Sequence, residues 1–126
     1  MDAMEMAFRV GDDDTATSVG SGSLPVLATP RLLAWFEAAT VVAASPAVLD
    51  CEEGTTTVGT RAEIEHRLPT AVGGEIEVFA TLASREDRVL VFEVTAVDRH
   101  GNLVGSGRIT RVLVSTDRFL NRLPPI

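Results

Sequence analysis

Polar and apolar residues alternate along the segment from Thr57 to Leu68. A period of two is typical of a strand with one solvated face and one buried face. The solvated face carries charges, whereas His66 falls on the other face with Val58, Ala62, Ile64 and Leu68. A polar ring among aliphatic side chains needs a hydrogen-bond partner. Because histidine titrates near neutral pH, which suits proton transfer, His66 is the first candidate functional residue.

A second pattern predicts one long helix upstream of this strand. Thr29 and Pro30 are typical of a helix start, since threonine caps helices well and proline suits the first helical position. The segment 31–44 is apolar on nearly every side, which predicts a helix that is buried nearly all round. Pro46 is expected to end it.

Everything from Gly54 to Ser115 is typical of strands and tight turns. Four long strands are predicted, at 55–68, 75–82, 89–98 and 103–115. A short strand is also expected near Thr15–Val19, and residues 116–126 are expected to form a polar tail. Strands that alternate and are joined by short turns indicate an antiparallel sheet, and the apolar helix would fill its core face.

The predicted fold is therefore α+β, with an antiparallel sheet wrapped around one long central helix, which is the hot-dog arrangement. Residues 1–126 are expected to form a single domain of this kind. Such a domain covers its helix incompletely and leaves sheet edges open, so we expect a homodimer that pairs edge to edge. Whether two dimers associate into a tetramer stays open.

Composition narrows the function classes. The net charge of −7 argues against non-specific binding to nucleic acid or to anionic membranes, which requires a positive field. No apolar run reaches the roughly 20 residues of a membrane span, and residues 1–10 lack the basic and apolar regions of a signal peptide. We therefore expect a cytoplasmic protein without membrane partners. With one cysteine and two histidines, no metal-binding motif is present, and no cofactor is expected.

Two further residues join His66 as candidates. Glu37 is the only acid inside the predicted helix, at the margin of its apolar face, where a carboxylate must be paired or its pKa rises. Thr29 lies at the helix N-terminus, where backbone N–H groups and the helix dipole favour negative charge. The purely structural alternatives are that His66 is a core histidine bonded to backbone, that Glu37 is a buried acid bonded to backbone amides or to an arginine across the dimer, and that Thr29 only caps the helix.

Residues 27–83, and more loosely the rest of the chain, resemble the hot-dog thioesterases, specifically the fluoroacetyl-CoA thioesterase type. The resemblance rests on the order and spacing of Ala28-Thr29, Glu37, Gly59-Thr60, His66, Pro69, Gly73-Gly74 and Gly105-Ser106-Gly107. It implies a thioester hydrolase acting on an acyl-CoA, with Thr29, Glu37 and His66 as the catalytic residues. It also implies that Gly59 lies beside the thioester carbonyl.

One segment departs from that family. Residues 19–26 contain no aromatic side chain, whereas the fluoroacetyl-specific type has bulky aromatics in the lid before its threonine. We therefore expect a small or medium acyl group without specificity for fluoroacetate. The alternatives are a non-catalytic hot-dog module that binds acyl-CoA or another small apolar ligand, and a hot-dog hydratase or dehydratase. Whether Glu37 attacks the substrate, activates water or only pairs with His66 stays open.

Overall fold

A five-stranded antiparallel sheet curls around one long helix in the computed structural model of the chain, which describes residues 4–126. The strands are β1 (Met4–Arg9), β2 (Thr55–His66), β3 (Glu75–Glu86), β4 (Val89–Asp98) and β5 (Leu103–Ser115). The helices are α1 (Ala16–Val19), α2 (Thr29–Ala43), α3 (Ser45–Leu49) and α4 (Thr116–Asn121). The spatial order β1-β3-β4-β5-β2 leaves β1 and β2 at the edges. The predicted α+β arrangement is confirmed.

The core lies between α2 and the inner face of the sheet. Helix α2 contacts all five strands, so the sheet curls around it. Its buried apolar side chains recur at the spacing of one helical face and are Leu32, Trp35, Phe36 and Ala39. They pack against alternate residues of the strands, including Ile76, Val78, Val94 and Ile109. Each large side chain buried in this way contributes roughly 1.5–3 kcal/mol relative to an exposed one.

Two local expectations were wrong, and one strand was not predicted. Residues 16–19 form the short helix α1, not a strand, because Thr15 caps it by accepting a hydrogen bond from Ser18 N–H. The long helix α2 ends at Ala43, before Pro46 as expected, and Pro46 occupies the first turn of α3, where its missing N–H costs nothing. The tail contains helix α4, capped by Ser115. The N-terminal segment supplies a fifth strand, β1, which the sequence patterns did not reveal.

The prediction that α2 is buried nearly all round was also wrong. Val41 is 49% exposed and Val42 36% exposed, and both lie on the side of the helix that the sheet leaves uncovered. The sheet is too narrow to enclose α2 completely, so one apolar strip of the helix stays open within a single chain. Among the helices of residues 4–126, none combines the length and apolar character needed to cross a bilayer.

Close packing between α2 and β5 depends on a glycine. A Cβ atom added at Gly105 would lie 2.9 Å from Leu32 Cδ2 and 2.8 Å from the carbonyl oxygen of Glu65. Both distances are shorter than ordinary van der Waals contact, and the Glu65 oxygen belongs to the backbone. The absence of a side chain at Gly105 therefore lets the helix and the neighbouring strand β2 approach β5 closely.

We expect Gly105→Val to reduce the free energy of unfolding by about 1–3 kcal/mol, because the added methyl groups overpack the contact with Leu32. Urea denaturation followed by circular dichroism measures this loss. The matched control is Ser106→Val, which places the same side chain on the opposite face of β5 and should cost far less. Equal losses for the two variants would contradict this account of the packing.

Candidate functional site

Thr29 and His66 meet at one end of α2. Thr29 Oγ1 lies 2.8 Å from His66 Nδ1, although the two residues are 37 positions apart in the chain. Thr29 is the first residue of α2, and His66 is the last residue of β2. In the neutral tautomer with its hydrogen on Nε2, Nδ1 accepts the hydrogen bond from the Thr29 hydroxyl. This is the geometry in which an imidazole can take a proton from a hydroxyl.

Thr29 does not cap α2, so the purely structural interpretation of this residue is wrong. The N-cap residue of α2 is Ala28, whose side chain makes no capping hydrogen bond. Thr29 and Pro30 follow as the first residues of the helix, and the backbone N–H groups of Arg31 and Leu32 are bonded to the Ala28 carbonyl. The Thr29 hydroxyl is therefore directed to His66 and not to the helix backbone.

A bulge in β2 decides which side chains face α2. The pairing of β2 with β5 shifts register between Gly59 and Arg61, so Thr60 is an extra residue. The shift reverses the alternation, and Gly59, not Val58, shares the inner face with Ile64 and His66. The predicted inward position of His66 is confirmed by its contact with Thr29, whereas the predicted inward position of Val58 is wrong.

The surroundings of His66 favour a neutral imidazole. Burial lowers the pKa of His66 below its ordinary value of 6.5, and the backbone of Leu68 acts in the opposite direction. Nε2 is shielded from solvent and has no hydrogen-bond partner of good geometry in residues 4–126. Because desolvation penalises the charged form, the ring is uncharged at neutral pH and can accept a proton.

Glu37 belongs to a second cluster, halfway along α2. Its Oε2 lies 3.6 Å from the Nη1 atom of Arg111, and a Cβ at Gly59 would lie 2.7 Å from the same oxygen. A side chain at position 59 would therefore displace the carboxylate from this position. The Glu37 side chain is 43% exposed, so it also reaches solvent. The expectation that this acid needs a partner is met by Arg111.

Arg111 is a site residue that the sequence analysis missed. Its side chain is only 8% exposed, and it donates from Nε to Thr57 Oγ1 at 2.9 Å and from Nη2 to the Thr57 carbonyl at 3.3 Å. Burial lowers the pKa of the Arg111 guanidinium, and the Glu37 carboxylate opposes that change. The sequence did contain a signal for Arg111, because this residue interrupts the series of inward-facing apolar positions of β5 between Ile109 and Leu113.

The two clusters are separate within one chain. In the described part of the chain, no hydrogen bond or ion pair joins Glu37 to His66. Thr29 and Glu37 are eight residues apart, which is about 12 Å along a helix. Gly59 and His66 are seven residues apart, which is roughly 20 Å along a strand. One chain therefore pairs Thr29 with His66 at one end of β2 and Glu37 with Arg111 and Gly59 towards the other.

Neither cluster has the composition of a metal site. Residues 4–126 contain no group of three or more histidine, cysteine, aspartate or glutamate side chains arranged to hold a metal ion. The arrangement instead offers a hydroxyl beside a neutral imidazole, and a carboxylate beside a buried cation. The first pair can generate a nucleophile, and the second can orient a polar group or a water molecule.

Comparison with known proteins gives a consistent result. A family model described as fluoroacetyl-CoA-specific thioesterase matches residues 10–117. The solved structure of the fluoroacetyl-CoA thioesterase FlK aligns with a TM-score of 0.84 and 27% identity, covering 98% of this chain and 96% of that chain. A search of curated protein sequences found no match.

Two further structures extend the likeness of fold. A hot-dog-like protein from Thermanaerovibrio acidaminovorans aligns with a TM-score of 0.82 and 26% identity, over 99% of this chain and 93% of that chain. A thioesterase superfamily member from Thermus thermophilus aligns with a TM-score of 0.85 and 22% identity, over 95% of this chain and 86% of that chain. The curled sheet around one helix is thus the hot-dog fold.

We expect the His66 imidazole to titrate with a midpoint below 6.5, because burial disfavours its charged form. NMR titration of the histidine ring protons measures this midpoint, and the His66→Gln variant identifies the resonance by its loss. A midpoint at or above 6.5 would contradict the described environment of the ring.

The lowered pKa of His66 also makes the stability of the fold depend on pH. Well above pH 6.5 the ring is neutral in both the folded and the unfolded chain, so it adds no pH dependence there. As the pH falls from 6.5 to the lower folded pKa, the unfolded chain binds the proton first, and the folded state loses stability. Within that window, His66→Gln should lose less stability with falling pH than the unchanged protein.

Proposed function

The chain belongs to the family of fluoroacetyl-CoA-specific thioesterases, and on that premise we propose that it hydrolyses a small or medium acyl-CoA through Thr29, His66 and Glu37. The observation that carries the proposal is the contact of 2.8 Å between Thr29 Oγ1 and His66 Nδ1. A hydroxyl next to a neutral imidazole is the arrangement that activates an oxygen nucleophile.

The first half of the reaction forms an acyl-enzyme. Thr29 Oγ1 attacks the carbonyl carbon of the thioester while His66 Nδ1 takes the hydroxyl proton. The tetrahedral intermediate carries negative charge on the former carbonyl oxygen, which backbone N–H groups stabilise. The intermediate collapses as the carbon–sulfur bond breaks, and His66 returns the proton to the departing sulfur of coenzyme A.

The second half regenerates the enzyme. A water molecule loses a proton to His66 and attacks the ester formed on Thr29, and as the bond from the carbonyl carbon to Thr29 Oγ1 breaks, His66 returns the proton to Thr29 Oγ1. The free carboxylic acid then leaves. The low pKa of His66 suits both steps, because the ring is already in its basic form at neutral pH.

Glu37 has a different part in this scheme. It does not contact the Thr29–His66 pair of its own chain, and its Oε2 lies beside Arg111 and against Gly59. A carboxylate in that position can orient the attacking water molecule or the thioester group. Direct attack by Glu37 is the competing mechanism, and it predicts that Thr29 is dispensable.

The edge strand β2 suggests how the two clusters come together. Its 12 residues form the longest free edge of the sheet, and a row of unpaired backbone groups on such an edge favours pairing with another chain. The uncovered strip of α2 with Val41 and Val42 adds apolar surface that needs a partner. We therefore propose a homodimer in which two β2 strands pair antiparallel.

The register of a β2–β2 pairing supports a site that is built from both subunits. Residues that oppose each other in an antiparallel ladder project to the same face. A twofold pairing of two β2 strands meets this condition when it is centred on Ala62 or on Glu63. Because Thr60 is an extra residue that is skipped in the register, centring on Ala62 places His66 opposite Thr57 of the partner subunit. Centring on Glu63 places His66 opposite Gly59 of the partner subunit. The Thr29–His66 pair would then face the Glu37 cluster of the partner subunit, with its Gly59 beside the carbonyl.

The role of Thr29 is tested by substitution. We expect Thr29→Ala and His66→Ala to lower kcat for acyl-CoA hydrolysis by about 10²-fold or more, because each removes one member of the proton-transfer pair. Thr29→Ser keeps the hydroxyl and should retain far more activity than Thr29→Ala. Release of the free thiol is followed spectrophotometrically with acetyl-, butanoyl- and hexanoyl-CoA. Full activity of Thr29→Ala would rule out the nucleophile and favour Glu37.

The composite site is tested by mixing inactive variants. Co-expressed Glu37→Ala and His66→Ala chains should form mixed dimers with one intact site, since His66 from the first chain meets Glu37 from the second. The matched control is Thr29→Ala mixed with His66→Ala, which cannot complement because both residues act from the same chain. Restored hydrolysis in the control, or none in the first mixture, would refute the composite arrangement.

A further inference from the structure

A cavity of about 350 Å³ opens beside the Thr29–His66 pair. Two segments of the chain form its walls, one at 16–27, which contains α1 and the following loop, and one at 66–69, which follows the end of β2. Thr29 and His66 line the same cavity, so a group attached to a carbonyl at Thr29 Oγ1 would begin within it.

The walls of this cavity are made of small and aliphatic side chains. The loop contributes Ala16, Ser21, Gly22 and Ser23, together with Leu24, Val26 and Leu27. The opposite wall adds Leu68 and Pro69, and no aromatic side chain apart from the imidazole of His66. The one charged residue, Arg67, pairs with Glu65 at 3.0 Å.

We propose that this cavity receives the acyl chain of the substrate and that the enzyme prefers acyl groups longer than acetyl. The inference rests on the proposed thioesterase function and adds the substrate class. An acetyl group has one carbon beyond the carbonyl, and a water-sized group takes roughly 30 Å³, so acetyl would leave most of the space unfilled. An unbranched chain would fill the cavity and bury apolar surface.

The alternative occupant is the pantetheine arm of coenzyme A. That arm carries two amide groups that need hydrogen-bond partners, and it leads to a nucleotide with several negative charges. Apart from the Thr29–His66 pair, the lining side chains offer amides only the hydroxyls of Ser21 and Ser23, because the guanidinium of Arg67 is already paired. An alkyl chain matches this lining better than a polar arm does.

Chain length is the variable that distinguishes the two occupants. Each methylene group that enters an apolar cavity is expected to raise kcat/KM about fourfold, from the transfer free energy of one buried methylene. We expect kcat/KM to rise from acetyl-CoA through butanoyl-CoA to hexanoyl-CoA and then to level off when the cavity is full.

The test variant is Ser23→Phe, which adds bulk at an exposed position that lines the cavity. It should lower kcat/KM for butanoyl- and hexanoyl-CoA much more than for acetyl-CoA, and so remove most of the gain with chain length. The matched control is Thr17→Phe, an exposed position on the same segment that does not line the cavity, and it should keep the chain-length profile. Circular dichroism and thermal unfolding confirm that both variants fold.

Two results would overturn the proposal. An equal loss for all acyl-CoAs in Ser23→Phe would assign the cavity to the pantetheine arm. A chain-length preference that Ser23→Phe leaves intact would place the acyl chain elsewhere, and a flat profile in the unchanged protein would refute the preference itself.

Binding of thioether analogues separates this proposal from the proposed hydrolysis. S-ethyl-, S-butyl- and S-hexyl-CoA cannot be hydrolysed, and calorimetry gives their Kd values. Affinity that rises with chain length and falls in Ser23→Phe would support the cavity even if no acyl-CoA were hydrolysed, in which case the chain would be a binding module. Hydrolysis together with equal affinity for all three analogues would support the thioesterase and refute the cavity.

Discussion

The close approach of α2 to the inner faces of β2 and β5 is the contact on which both clusters depend. Two glycines permit it at different heights along the helix. Gly105 leaves room for Leu32, and Gly59 leaves room for the Glu37 carboxylate. A side chain at Gly105 would press on Leu32 and push the helix outward, whereas a side chain at Gly59 would displace the Glu37 carboxylate. Because Thr29 begins the same helix, an outward movement at Gly105 would also move its hydroxyl away from His66, so packing and chemistry share one constraint.

The bulge at Thr60 allows two positions of β2 to face inward that a regular strand would place on opposite faces. His66 must face inward to reach Thr29, and position 59 must face inward to accept Glu37, yet these positions differ in parity and would lie on opposite faces of a regular strand. One extra residue between them corrects the parity. The cost is a disrupted ladder with β5 at one point, close to the cluster that needs Gly59. This location agrees with the tendency of bulges to occur beside functional sites.

Sequence patterns predicted the helix, the four long strands and the inward direction of His66, because apolar periodicity reports burial directly. They did not reveal β1, since Met4–Arg9 is mostly exposed and mixes charged with apolar residues. Val58 was assigned to the wrong face because periodicity extends through a bulge without detecting it. Glu37 was expected to approach His66, but a pattern within one chain cannot show that Arg111, 74 positions away, is its partner.

The separation of the two clusters gives assembly a direct bearing on activity. Within residues 4–126 of one chain, Thr29 and His66 can exchange a proton, but no carboxylate forms a hydrogen bond or ion pair with them, and Glu37 pairs with the buried Arg111 instead. Burying Arg111 is costly without a counter-charge, so Glu37 stabilises the fold whether or not a partner is present. In the proposed dimer, Glu37 would have two roles that can be measured separately. Its contribution to folding would depend on Arg111 of the same chain, whereas its contribution to hydrolysis would depend on His66 of the partner subunit. A pairing of β2 strands that brings these residues together would make the dimer, not the chain, the smallest unit able to complete the proposed reaction.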